Sequence, residues 1–122
     1  MASAPLLVLL VLLLSFPLTL AQANAGEATA RGRQFFNATH GNDWSCASCH
    51  TRDPRQPGRH AVTGRELAPL APAANPERFK DPAKAEKWFR RNCRDVVGRE
   101  CTAAEKADIT AWLSSLPAEG RP

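Results

Sequence analysis

Cys46-Ala47-Ser48-Cys49-His50 is the stretch on which the reading of this chain turns. Cys-x-x-Cys-His is the attachment signature of a c-type haem. Two thiols three residues apart at the start of a helix add to the two vinyl groups of one haem. The imidazole of the next residue is then directed at the iron as its proximal ligand. Covalent attachment fixes both the haem and His50. A redox Cys-x-x-Cys or half of a zinc site is the competing reading. It accounts for neither His50 nor an export signal, and the chain has no second Cys-x-x-Cys to complete a zinc site.

Composition says why such a chain needs a prosthetic group. Of 122 residues, the first 25 (Met1 to Ala25) carry no charge, and the remaining 97 hold only 15 large apolar side chains once Ala and Cys are set aside. A 97-residue domain lies where burial on folding is already marginal. Fifteen such residues make a thin core, so a covalent haem, a disulfide, or both are expected to complete it. Length excludes a multidomain enzyme, and the spread of Trp44, Trp88, Trp112 and four Phe argues against disorder.

Leu6 to Leu14 is an unbroken run of Leu and Val, followed by Ser15-Phe16-Pro17 and then by small residues at Thr19-Leu20-Ala21 and Ala23-Asn24-Ala25. This is the pattern of a secretory signal, with cleavage expected after Ala25 and Ala21 as the alternative. It departs from the pattern in having no Lys or Arg before the apolar run. An uncleaved anchor ranks lower, because the run is shorter than the ~20 residues a spanning helix needs and Pro17 interrupts it. The expected organisation is a signal peptide over residues 1–25 and a monohaem cytochrome c domain over 26–122. Its compartment is the periplasm, where disulfides persist, with no stable membrane insertion after signal removal.

Glu27 to His40 reads as a helix with Gly32 and Phe36 on one face. Thr51 to Pro82 holds six prolines in 32 residues, too many for long helices or central strands. The apolar block Leu67 to Pro72 makes it a structured wrap rather than a disordered tail. Helix signals return at Asp81, an N-cap followed by Pro82. Ala85, Trp88, Phe89 and Asn92 then share one helix face. Thr102-Ala103-Ala104-Glu105 is a capping box, and Ile109, Trp112, Leu113 and Leu116 repeat the helical spacing up to Pro117. No credible β pattern is visible. The fold class is all-α, with helices and a Pro-rich loop around one covalent haem.

Cys93 and Cys101 form the second cysteine pair. In an oxidising compartment the default is a structural disulfide, whose short loop suggests about 2–3 kcal/mol from chain entropy. A reactive dithiol is the lesser alternative.

The sixth iron ligand decides the function. His/Met ligation is excluded in the processed chain, because Met1 is the only methionine. His40 lies too close before the attachment motif to reach the opposite haem face. His60 sits in a Pro/Gly/Arg loop, where a solvated or propionate-contacting role outweighs ligation. Asn92 is the remaining candidate, a polar residue on an otherwise apolar helix face next to Cys93, where a polar group needs a partner. An Asn capping the helix end is an equal alternative at this point.

Several blocks carry a family likeness. They are Ser45-Cys46 to Cys49-His50, Thr63 to Pro72, Glu86-Lys87-Trp88-Phe89-Arg90-Arg91-Asn92-Cys93, Val97 to Thr102, and Glu105 to Asp108. In order and spacing the chain resembles the sphaeroides haem protein (SHP) family of high-spin class I cytochromes c, with Thr51 to Val62 less similar. The resemblance implies a small class I cytochrome c fold with one haem c. Asn92 would be the distal ligand of the oxidised iron, released on reduction or when a small ligand binds, beside a Cys93–Cys101 disulfide. It also implies diatomic gas ligands (O2, NO, CO). The implied electron donors are a dihaem cytochrome c and a membrane cytochrome b. Trp88 and Phe89 would line the haem and keep water out.

The net charge is +4, and residues 80–94 carry six Lys/Arg (Lys80, Lys84, Lys87, Arg90, Arg91, Arg94) against Asp81 and Glu86. In isolation this is a solvated helix face. Beside a haem it suits an acidic redox partner rather than nucleic acid. An electron carrier with an openable iron therefore competes with a haem enzyme that reduces oxygen, peroxide or NO. A plain bis-His low-spin carrier using His60 is a third reading. No obvious distal acid/base residue is present, which favours the carrier over the enzyme.

Overall fold

The structure is a computed structural model that describes residues 16–119. The apolar run Leu6 to Leu14 lies outside these residues. Among the described residues four helices run in the order α1 (Phe16–Asn37), α2 (Cys46–His50), α3 (Pro82–Val96) and α4 (Ala103–Ser115). Two short strands, β1 (Gly58–Arg59) and β2 (Glu66–Leu67), lie between α2 and α3. Among the described residues no helix is long and apolar enough to cross a membrane.

The first helix starts upstream of Glu27, because an Ala-rich stretch of high helix propensity continues through Ala25. It also stops three residues short of His40. His40 has φ 54°, and its ring lies 4.2 Å from that of Phe35 while Nε2 meets the Phe35 carbonyl at 2.9 Å. α1 packs on α4, and here the Gly32–Phe36 face is buried as its spacing predicts. Arg31 grips Asp108 with two hydrogen bonds of 2.7 and 3.1 Å. Phe36, Ile109, Trp112 and Leu113 form the main core, flanked by Phe35, Cys46, Ala47, Leu70, Phe79, Phe89 and Leu116. A second cluster joins Cys93, Val97 and Cys101, and Phe35 and Phe89 pack against both.

The Pro-rich segment is the wrap its apolar block predicts. Pro54 is fully buried, and its carbonyl accepts the N–H groups of both Leu70 and Ala71 at 2.9 Å. The expectation of no β structure is corrected here: Gly58 pairs with Leu67 and Arg59 with Glu66 in an antiparallel ladder. Strands of two residues are too short to show an alternating pattern, so sequence periodicity cannot reveal them.

Candidate haem site

Ser45 starts the attachment helix. Its hydroxyl accepts from the Ser48 N–H at 3.2 Å, and the Ser48 hydroxyl accepts from the Ser45 N–H at 2.9 Å. This reciprocal box stabilises a five-residue helix too short to persist alone. The spacing Ser45-x-x-Ser48 carries this cap in the sequence itself, overlapping the Cys46-to-His50 motif. Thr51, at φ 64°, ends the helix directly after His50. Gly58 then crosses the C-terminal end of α2 so closely that a Cβ on it would lie 2.1 Å from the Cys49 carbonyl oxygen. Only glycine permits that approach.

Cys46 and Cys49 are free thiols, both half-buried. Burial pushes the Cys46 thiol up to about 11, which keeps it protonated and unlike a redox-active thiolate. Cys49 Sγ accepts the Ala61 N–H at 3.3 Å. Among the described residues no cluster of three or more His, Cys, Asp or Glu could hold a metal ion. His50 lies with its ring 6.4 Å from that of Phe36. Its burial, and secondarily the charge of Arg78, push its pKa down to about 4. The ring is therefore neutral at physiological pH, as an iron ligand must be. His50 Nδ1 is buried and has no hydrogen-bond partner among the described residues. Leaving such an atom unpaired costs about 1–3 kcal/mol. A buried, neutral imidazole beside two free thiols fits a covalent haem.

On α3, Asp81 is the N-cap, accepting the Lys84 N–H at 3.0 Å. Ala85, Phe89 and Asn92 are half-buried, while Trp88 remains 40% exposed with the Arg91 guanidinium 5.7 Å over its ring. The turn that ends α3 lies beyond Asn92: Val97 and Gly98 return their N–H groups to the Cys93 carbonyl at 2.8 and 3.1 Å. Asn92 is thus inside the helix, one turn short of its end, and the capping alternative is removed. Cys93 and Cys101 are joined, with Cα atoms 5.7 Å apart, which braces the backbone next to Asn92. Phe89 touches both the cluster that includes Cys46 and the cluster that includes Cys93, linking the α2 and α3 sides.

The other histidines are committed elsewhere. His60 Nδ1 accepts the N–H groups of Val62 and Thr63 at 3.3 and 3.1 Å. Backbone N–H groups can only donate, so His60 Nδ1 acts as the acceptor that closes this turn. His40 is tied back to α1 through Phe35.

Of the basic residues on α3, Lys84 and Lys87 are exposed and form no salt bridge among the described residues. Arg91 folds toward Trp88 and lies 3.9 Å from Asp95, so it belongs less to the open basic face than its spacing suggests. Arg78, absent from the sequence reading, lies near His50 in a turn of the Pro-rich wrap. An arginine in a loop carries no local signal of what surrounds it.

Comparison with known proteins agrees with this geometry. Residues 22–113 match a family described as a domain of unknown function, DUF1924. The chain is 46% identical over 99 residues to the cytochrome c-type protein SHP of Cereibacter sphaeroides, spanning 78% of this chain and 76% of that protein. It is similar to the structure of oxidised SHP, described as an oxygen-binding cytochrome c, with TM-score 0.68 and 48% identity over 72% of this chain and 81% of that one. It is also similar to the solution structure of cytochrome c'' from Methylophilus methylotrophus, which addresses haem-ligand detachment in that protein. The TM-score is 0.61, with 42% identity over 70% of this chain and 72% of that one. The chain belongs to the DUF1924 family and is an SHP-like monohaem cytochrome c, whose cofactor is a haem c that the Cys46–Cys49 pair fits.

Proposed function

We propose that this cytochrome is an exported electron-transfer protein whose iron is held by His50 and, when oxidised, by a displaceable Asn92. The observation that carries the reading is the position of Asn92. It is a half-buried amide inside α3, beside Phe89 and braced by the Cys93–Cys101 bond, with no capping role to explain it. The haem supplies an iron that exchanges one electron and can take small neutral ligands. His50 presents a neutral imidazole from α2. The Asn92 amide oxygen, a weak neutral donor, would hold the oxidised iron and would give way on reduction or to a competing diatomic gas. Trp88 and Phe89 limit water entry, and Lys84 and Lys87 offer an acidic donor cytochrome a basic approach. The named oxygen-binding and ligand-detaching relatives support this reading. Residues 1–25 act as the export signal and 26–122 as the periplasmic domain.

Visible and EPR spectra of wild type, Asn92→Ala and His60→Ala test the ligand. The oxidised wild type is expected to be high-spin or mixed-spin, and the reduced protein to bind carbon monoxide readily. Asn92→Ala opens the ferric site to added anions with haem attachment intact, and His60→Ala changes the spectra little. A low-spin wild type that turns high-spin only in His60→Ala would make the protein a bis-His carrier.

A further inference from the structure

Val62 is the most exposed large apolar side chain among the described residues, at 78%. A single exposed valine is ordinary on a protein surface. What sets this one apart is the frame that holds it at the tip of the hairpin between β1 and β2. Its N–H and that of Thr63 are both held by His60 Nδ1. The His60 N–H donates to the Arg65 carbonyl at 2.8 Å, and the Gly64 N–H returns to the His60 carbonyl at 2.9 Å. Gly64 has φ 70°, which lets the chain reverse there without strain. The tip is tied down from within, yet Ala61, Val62, Thr63 and Gly64 are all exposed on it.

The same tip is joined to the attachment motif. The Ala61 N–H donates to Cys49 Sγ at 3.3 Å, and a thioether sulfur keeps a weak acceptor for it. Gly58, at the foot of the hairpin, sits against the Cys49 carbonyl. From Val62 inward, one residue and one hydrogen bond lead to a sulfur that fits haem c. The flanks are basic. Arg59 and Arg65 are exposed and form no salt bridge among the described residues, and Arg59 Nη1 donates instead to the Gly64 carbonyl at 2.8 Å. Glu66, the hairpin's only carboxylate, lies opposite Arg59 in the ladder without pairing with it. An apolar centre with a charged rim is the anatomy of a protein–protein contact.

We propose that the tip formed by Ala61, Val62 and Thr63 is the docking contact for an acidic redox protein. Val62 packs into the partner's surface, Arg59 and Arg65 face its carboxylates, and the hydrogen bond from Ala61 to Cys49 carries the electron inward. One electron leaves the partner, which is oxidised, and enters this protein, which is reduced; no atom is transferred. The inference rests on the electron-transfer reading and is independent of Asn92. It also differs in kind from the basic face of α3, where Lys84 and Lys87 steer the approach from a distance while the tip makes the contact.

The test uses the oxidised holoprotein with a purified acidic dihaem cytochrome c as reduced donor. Stopped-flow reduction of wild type, Val62→Glu and Val62→Ala is followed at low and high salt, with dithionite, which needs no docking, as control. Val62→Glu is expected to slow reduction by the cytochrome roughly tenfold, because it sets a like charge against the partner. In Val62→Ala a smaller loss persists at high salt, where steering from α3 is screened. Dithionite rates and Soret spectra stay as in wild type. Hydroxyl-radical footprinting of wild type shows Val62 protected when the donor, kept oxidised, is added. An unprotected Val62 would overturn the proposal, as would a shifted Soret band in Val62→Glu, which would put the side chain against the haem. If Val62→Glu does not fold, Val62→Ala and the footprint decide. A wild type that dithionite reduces and this donor does not would remove the electron-transfer reading and the proposal together. A wild type that the donor reduces no faster than it reduces the folded variants would remove the proposal alone.

Discussion

Replacing Gly32 with Ala sets two effects of opposite sign against each other. In an exposed helix interior the change should stabilise by about 1 kcal/mol, because Ala is the better helix former. In this structure a Cβ at position 32 would lie 2.0 Å from the Asp108 carbonyl oxygen, 2.5 Å from its carbon and 2.9 Å from the Ile109 nitrogen. All three are backbone atoms of α4, so no side chain can swing aside. A carbon–oxygen contact needs roughly 3.3 Å, so α1 and α4 must part by more than about 1 Å. That opening would loosen Phe36 from Trp112, whose rings lie 5.1 Å apart, and would stretch the Arg31–Asp108 grip. Overpacking of this kind costs about 1–3 kcal/mol and more where backbone must move, which exceeds the propensity gain. A net loss near 2 kcal/mol is expected, lowering Tm by about 10 °C in a domain of this size. Urea and thermal unfolding of the holoprotein, followed by far-UV circular dichroism, read it directly. A variant as stable as wild type, or more so, would refute the close α1–α4 contact.

Glu105 supplies a pH test: hydrogen bonding from Arg99 holds its carboxyl at about 2 against an ordinary 4.5. A carboxyl depressed in the folded state adds stability above its unfolded pKa and loses it as pH falls toward the folded one. The urea midpoint of wild type should therefore fall more steeply between about pH 5 and 2 than that of Glu105→Gln, and equal slopes would contradict the pairing. Charge reversal at Lys84, Lys87 and Arg91 should slow reduction by an acidic cytochrome roughly tenfold at low salt, with the difference fading as salt rises. Stopped-flow rates across ionic strength check this, and a rate unchanged at low salt would leave the basic face merely solvated.

The parts of this protein legible from sequence were those encoded by neighbours along the chain. Cys46, Cys49 and His50 fall within one five-residue stretch, so their chemistry follows from spacing alone. The caps at Asp81 and Thr102 satisfy N–H groups three residues away, and both hold in the fold. Gly32 and Phe36 share a face because helical periodicity places them there. What the tertiary structure decided involves partners far apart in sequence. That Asn92 is not a cap depends on where α3 ends, which Val97 and Gly98 set by returning to Cys93. That His60 holds a turn depends on a loop closed by a ladder too short to show a period. Burial belongs to the same class. Arg78 reads in sequence as one more solvated cation in a basic chain. Its meaning comes from desolvation beside His50 and from the carbonyls of Ala68 and Pro69, because the energy of a charge is set by what surrounds it in space.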